Sequence, residues 1–285
     1  MFITGNYLLT ALGFAAIYVV FTCGLNLFMG HAGQVSFGQN AFAAIGGYGT
    51  AILTTTLDWP PLVALLASAL LSAAVAAIVG LATLRLRGHY LAMGTLALGL
   101  ISYEAAVQWE SLTGGYMGIS GIPPLSIGPW AAESDRQVFA VLALAALLAV
   151  WVTQRLRHSR FGRAMGALAG NEDAAAALGV DVAKVKRTTF IAAAITASIA
   201  GSLMAHAVGY ISPEVFGLHM TVLGFTMLYV GGIGTTFGPL VGALVIGMLP
   251  EVIRGFRDVQ DLVYGAVLIL ILIRAPGGLA GVLKR

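Results

Sequence analysis

The chain has 285 residues, of which 59% are hydrophobic and 9% charged, with a mean hydropathy of +0.91. An average soluble domain carries about 25% charged residues, so the composition excludes a soluble globular domain and predicts an integral membrane protein. The formal net charge is only +3, and a single cysteine, Cys23, excludes an intrachain disulfide.

A helix needs about 20 apolar residues to cross a hydrocarbon core of about 30 Å, because lipid offers no partner for free backbone groups. On that basis spans are expected near residues 7–28, 40–56, 62–84, 90–108, 137–152, 187–209, 219–230, 238–251 and 262–273. The predicted fold class is all-α, a polytopic membrane protein of eight or nine helices forming one domain over residues 1–285. The seventh and eighth segments are short and read equally as a re-entrant pair, which leaves the parity unchanged. The first segment has no basic region before it and no small-residue cleavage site after it, so an uncleaved first helix is expected. Cys23 lies within it as a small apolar filler.

Basic loops face the cytoplasm. Alternate threading of the spans puts twelve of the fifteen Lys and Arg residues inside: Arg85, Arg87, Arg155, Arg157, Arg160, Arg163, Lys184, Lys186, Arg187, Arg274, Lys284 and Arg285. Only Glu172, Asp173 and Asp181 oppose them there. The N-terminus is then outside and the C-terminus cytoplasmic. The basic isoelectric point follows from this asymmetry and is poor evidence for nucleic-acid binding.

Two glycine-rich breaks follow outside-to-inside spans: Gly30-His31-Ala32-Gly33-Gln34-Val35-Ser36-Phe37-Gly38-Gln39-Asn40 and Gly231-Gly232-Ile233-Gly234-Thr235-Thr236-Phe237-Gly238-Pro239. Both close on a similar Gly…Phe-Gly pattern, a weak internal repeat. Irregular backbone at membrane depth is tolerated where protein covers it or where it lines a cavity; the alternative is an ordinary cytoplasmic turn. The first break crowds Gln34, Ser36, Gln39 and Asn40 together, and with Asn26 these are the candidate translocation path. Among other polar residues near spans, Glu104 and Glu251 lie close to the outer boundary. Ser102 and Gln108 complete the set with His206, which has no partner at helical spacing and reads as a hydrogen-bonded interior histidine. No ladder of carboxylates or arginines suits a proton pump or voltage sensor. The sixth span carries small residues four apart, Ala193, Ala197, Gly201, Ala205 and Gly209, a packing seam against this chain or a partner.

The cytoplasmic loop 153–186 contains Asn171-Glu172-Asp173-Ala174-Ala175-Ala176-Ala177-Leu178-Gly179. Asn171 suits an N-cap, Glu172 and Asp173 complement the helix dipole, and Gly179 suits a C-terminal stop. A helix of about two turns is too short to stand alone. It should lie against another surface through Ala174, Ala175 and Leu178, while Lys184, Lys186 and Arg187 anchor the next span at the interface.

This run resembles the EAA loop of ABC importer permeases, whose short coupling helix docks on a cytoplasmic ATPase. Gly24-Leu25-Asn26-Leu27, the first break, Leu84-Arg85-Leu86-Arg87-Gly88-His89-Tyr90, Leu112-Thr113-Gly114-Gly115 with Gly118-Ile119-Ser120-Gly121-Ile122-Pro123, Ser159-Arg160-Phe161-Gly162-Arg163-Ala164 and Gly231-Gly232-Ile233-Gly234 extend the likeness over nearly the whole chain. In that order they resemble the LivM-type permease of branched-chain amino acid importers. The resemblance implies an inner-membrane permease with a LivH-type partner permease, two LivG/LivF-type ATPase subunits and a periplasmic solute-binding protein. It makes Glu172, Asp173, Ala174, Ala175, Leu178 and Gly179 the coupling element and turns the outer loop 109–137 toward the binding protein. ATP and Mg belong to the ATPase subunits; the chain has no G-x-x-x-x-G-K-[ST] loop, and no cofactor, metal or catalytic residue is expected in it. Two readings stand beside this one: an ATP-independent channel or secondary transporter, and a rhomboid-like serine protease on Gly118-Ile119-Ser120-Gly121 with His206 or His219 as base.

Overall fold

The computed structural model describes residues 5–127, 130–252, 265–266, 269, 273 and 277–282. Helix α1 (Gly5–Leu25) continues as one π-helical turn, Asn26–His31, before the first break. Then come α2 (Gln39–Thr55), α3 (Pro61–Thr83), α4 (His89–Gln108) and the short α5 (Glu110–Thr113). After α6 (Asp135–His158) the chain forms α7 (Arg160–Gly170), α8 (Glu172–Ala177) and α9 (Val182–Val208). Helix α10 (Leu218–Gly231), the second break and α11 (Gly238–Val252) follow, and a short helix covers Gly278–Val282. Six helical segments among the described residues are long and apolar enough to cross a membrane, and Gly238–Leu249 is a shorter apolar one. Most of the ninth expected span, 262–273, lies outside the described residues, as do Arg254, Arg257, Arg274, Lys284, Arg285 and the side chain of Glu251.

Helix ends follow local chemistry. Ser134 and Gln137 form a reciprocal capping box at the start of α6, Ser159 caps α7, Asn171 caps α8, Asp181 caps α9, and Pro61 occupies the first turn of α3. The stretch 153–186 is therefore mostly helical. The signal was in the sequence: Ser159 caps a segment in which Phe161, Met165 and Leu168 recur at helical spacing, and Met165 and Leu168 pack with Leu27, Ala32 and Val185.

Helix α9 is central. Ala193, Ala197, Gly201 and Ala205 are buried within the chain, whereas Gly209 ends the helix in the left-handed region at φ 72° and lies beyond the packed stretch. A Cβ at Gly201 would overlap the backbone carbonyl of Ala43, and one at Gly46 would overlap that of Ser198, so α2 and α9 touch backbone to backbone. Hydroxyls bond across the same contact: Ser202 donates to the Gly46 carbonyl at 2.9 Å, Thr50 and Ser202 lie 2.7 Å apart, and Ser72 of α3 donates to the Ala194 carbonyl at 3.2 Å. In a solvent as apolar as the side chains themselves, close packing and such bonds supply the association energy. The outward faces of α3, α4 and α6 carry Leu70, Ile78, Met93, Ile101, Leu144 and Leu147, all exposed, as lipid-facing helices require.

The end of the bundle opposite α7 and α8 is laced by short strands. β1 (Ile119–Ser120) pairs antiparallel with β4 (Tyr210–Ile211), and β2 (Ser126–Ile127) pairs with β3 (Trp130–Ala131). This ties the 109–137 segment to the end of α9.

The α2–α9 contact makes a direct prediction. Gly46→Leu should lower the melting temperature in detergent, at a cost of at least the ~1–3 kcal/mol typical of overpacking. Gly166→Ala, in a helix with open space at the new methyl, should leave it unchanged or raise it slightly. Equal melting temperatures for Gly46→Leu and the parent would contradict the packing described.

Candidate functional site

The two breaks meet. Asn26, at the start of the π-turn and 3% exposed, donates from Nδ2 to the Thr235 carbonyl at 2.8 Å and accepts at Oδ1 from the Gly234 N–H at 2.8 Å. Gly30 allows this approach, since a Cβ there would overlap Asn26 Oδ1. From the other side Arg157 Nη1 donates to Thr236 Oγ1 at 3.0 Å, and Gly277 and Gly278 press against Gly232. Asn26 thus joins one broken helix to the other through both the nitrogen and the oxygen of its amide.

Beyond the π-turn the chain reverses at Gly33, φ 67°, where it lies against Ala169 of α7. It then runs between α4 and α10: Phe37 stacks on Phe225 at 4.4 Å, its N–H donates to Thr95 Oγ1 at 3.0 Å, and its carbonyl accepts from Thr221 Oγ1 at 3.4 Å. Gln34, Ser36, Gln39 and Asn40 are all buried here. Gln34 Nε2 donates to the Ala32 carbonyl at 3.3 Å, and Asn40 Nδ2 to the Phe216 carbonyl at 2.9 Å. Gln39 is 0% exposed, yet neither atom of its amide has a hydrogen-bond partner among the described residues; nor has Asn40 Oδ1. A buried amide without partners costs ~1–3 kcal/mol per unmet group, so this is a polar spot within an apolar bundle.

At the basic end, α8 is a six-residue helix. Asn171 Oδ1 accepts from the Ala174 N–H at 2.9 Å, and Gly179 adopts φ 85° after the C-cap Leu178. Ala175 is buried, while Ala174 is exposed and Leu178 is 84% exposed. The expected apolar face of Ala174, Ala175 and Leu178 is thus divided: Ala175 turns inward and the other two remain open.

The two acids also differ. Glu172 Oε2 lies 2.7 Å from Lys186 Nζ, and Oε1 lies 3.2 Å from Arg87 Nε; Asp173 Oδ1 meets Arg87 Nη1 at 3.1 Å but its side chain is 83% exposed. Lys186 is 2% exposed, so it is an interior residue and does not snorkel at the interface as expected for a flanking lysine. Arg87 comes from the turn between α3 and α4. Neither basic partner was identified from the sequence; the only hint was an acidic pair surrounded by unmatched bases.

Ser120 is exposed on β1, whereas His206 is buried with Nδ1 against the Pro123 carbonyl at 2.7 Å and Nε2 unpartnered among the described residues. The two make no nucleophile–base pair.

Removal of the Asn26 amide tests the junction of the breaks. Asn26→Ala would leave the Gly234 N–H and Thr235 carbonyl without their partner in a buried setting, a loss of about 2–6 kcal/mol. The expected result is a lower melting temperature and faster proteolysis within 231–238; unchanged values for both would remove Asn26 from this role.

The family model described as the permease component of branched-chain amino acid transport systems matches residues 7–272. The high-affinity branched-chain amino acid transport permease LivM of Salmonella typhimurium is 32% identical over 92% of this chain and 67% of its own length. The permease LivH of Escherichia coli is 31% identical over 61% of this chain and 59% of its own length. A probable LivM of Methanocaldococcus jannaschii is 25% identical over 92% and 90%. No solved structure matches. With its match extending through the breaks, the seam helix and the α7–α8 region, the chain belongs to the family of permease components of branched-chain amino acid transport systems.

Proposed function

We propose that this multi-pass membrane protein is one of two permease subunits of an ATP-driven importer that moves branched-chain amino acids or related small solutes across the inner membrane. The observation that carries this reading is the 32% identity to LivM over 92% of the chain. Similarity to LivH over 61% supports a homologous second permease as partner. LivG/LivF-type ATPase subunits would hold the ATP and Mg, and this chain would do no catalysis of its own. A periplasmic binding protein would dock on the 109–137 segment. In this reading residues 1–285 are one permease domain of eight or nine spans, with the N-terminus outside and the C-terminus in the cytoplasm.

The mechanism follows from α8. Glu172, Asp173, Ala174, Ala175, Leu178 and Gly179 form the coupling element, with exposed Leu178 and Ala174 available to a cytoplasmic partner. ATP binding draws the ATPases together and displaces this helix; the two permeases then rock between outward-open and inward-open states. Such a switch runs on differential affinity between states. Gln34, Ser36, Gln39 and Asn40 form the polar lining on this chain's side of the path. They carry no charge to trap a zwitterion, and the binding protein supplies the affinity.

Two measurements test this reading on the complete complex in proteoliposomes. Gly179→Pro removes the N–H that donates to the Ala176 carbonyl at 3.0 Å and forbids φ 85°. It should leave the chain inserted while abolishing solute-stimulated ATP hydrolysis, and retention of normal stimulation would refute the coupling role. Alanine at Gln34, Ser36 and Gln39 together should reduce leucine uptake at least several-fold with ATP hydrolysis retained. Wild-type uptake kinetics in that triple variant would remove these residues from the path.

A further inference from the structure

Lys186 is the one Asp, Glu, Lys or Arg residue that is buried among the described residues. It is four residues into α9, the helix that packs backbone to backbone on α2. Its ammonium faces Glu172 Oε2 at 2.7 Å, in the first turn of α8. The other oxygen of Glu172 is held by Arg87 Nε at 3.2 Å, and Arg87 forks onto Asp173 through Nη1 at 3.1 Å. Arg87 is 64% exposed at its side chain, so its two contacts are solvent-screened and weak. The Lys186 contact is not.

A buried ammonium is retained only with a charged partner, because desolvation penalises it heavily otherwise. Apart from this cluster, α8 is tied to the chain by the burial of Ala175 and by cap and backbone bonds to its immediate neighbours Asn171, Leu178, Gly179 and Val180. Six residues of helix cannot hold an orientation alone. Glu172 thus has both oxygens turned into its own chain, and what α8 leaves open is Ala174, Ala176, Ala177 and Leu178, with Asp173 at the edge.

We propose that the Glu172–Lys186 pair, steadied by Arg87, is the joint through which displacement of α8 is passed into α9 and from there to α2 and the buried amides at its start. Lys186 and Arg87 are positioning residues. Glu172 is the receiving end of an internal linkage; the ATPase contact is left to Leu178 and the alanines. This inference rests on the importer reading and specifies how its coupling helix is wired.

The test uses the full complex of both permeases, ATPases and binding protein in proteoliposomes, reading assembly, basal and stimulated ATP hydrolysis, and radiolabelled leucine moved per ATP. Lys186→Met should assemble and retain basal hydrolysis but lose at least tenfold in leucine moved per ATP. Lys186→Arg should return to within about twofold of the parent, and Arg87→Met should lose only about two- to threefold. Lys184→Met, exposed and outside the cluster, should match the parent.

The double variant Glu172→Met/Lys186→Met separates linkage from mere stability, because it leaves no orphan buried charge. Continued loss of leucine per ATP in a well-assembled double variant supports the joint, also where Lys186→Met alone fails to assemble. Restored coupling in the double variant, or parental coupling in Lys186→Met, overturns it. A parent complex that takes up leucine equally well without ATP would overturn the importer reading instead, and the joint with it.

Discussion

Everything at the basic end of this molecule depends on how two interrupted helices satisfy their backbones away from water. Each break leaves N–H and C=O groups that lipid cannot serve. Side chains supply the partners: Asn26 gives an acceptor to Gly234 and a donor to Thr235 in the second break, at 2.8 Å each, and Thr95 and Thr221 bond the Phe37 backbone in the first. Only glycine at position 30 lets the second break come that close. The π-turn, the second break and the ends of α10 and α11 therefore form one unit, and relative movement of α1 against α10 would expose polar backbone to an apolar interior.

Around this unit the helices divide by burial. The apolar stretches of Leu8–His31, α9 and Pro213–Gly231 are 61%, 61% and 56% buried, against 33%, 33% and 22% in α3, α4 and α6. Small residues explain the burial of α9, because Gly46 and Gly201 allow α2 and α9 to meet without intervening side chains. Long aliphatic side chains explain the exposure of α3, α4 and α6, because they face outward where only lipid or another subunit can meet them. The hydroxyls of Thr50, Ser202 and Ser72 then fix register along α9, each bonding a neighbouring helix. A displacement applied to α9 consequently acts on α2 directly.

Much of this was legible in the sequence because the physics involved is local. Apolar length located the six segments long enough to span, Asn171 and Gly179 bounded α8, and the glycine clusters at 30–38 and 231–238 marked the breaks. What escaped was the long-range pairing. Asn26 stood out as a polar residue in an apolar span, but nothing near it in the chain named Thr235, more than 200 positions away. Lys186 read as one more interfacial lysine because composition cannot distinguish a snorkelling side chain from one folded back onto Glu172. Likewise Gly209 continued the four-residue spacing of the α9 seam, yet it serves as a left-handed cap, since spacing carries no information on where a helix stops.

The distribution of charge gives the final constraint. The single buried Asp, Glu, Lys or Arg among the described residues, Lys186, is at the α8 end and is neutralised by Glu172, whereas the buried polar side chains of residues 34–40 are amides and a hydroxyl. Neutral hydrogen bonds contribute ~0.5–1.5 kcal/mol each, and bonds to charged groups about twice that. A solute bearing both an ammonium and a carboxylate would be held by a fixed counter-charge and would need that energy returned before it could leave. On the proposed path, Gln39 and Asn40 would offer such a solute donors and acceptors of the weaker kind at either end. In the proposed importer the strong electrostatic contact would therefore sit in the linkage between α8 and α9, and the weak ones along the path, where residence must be brief.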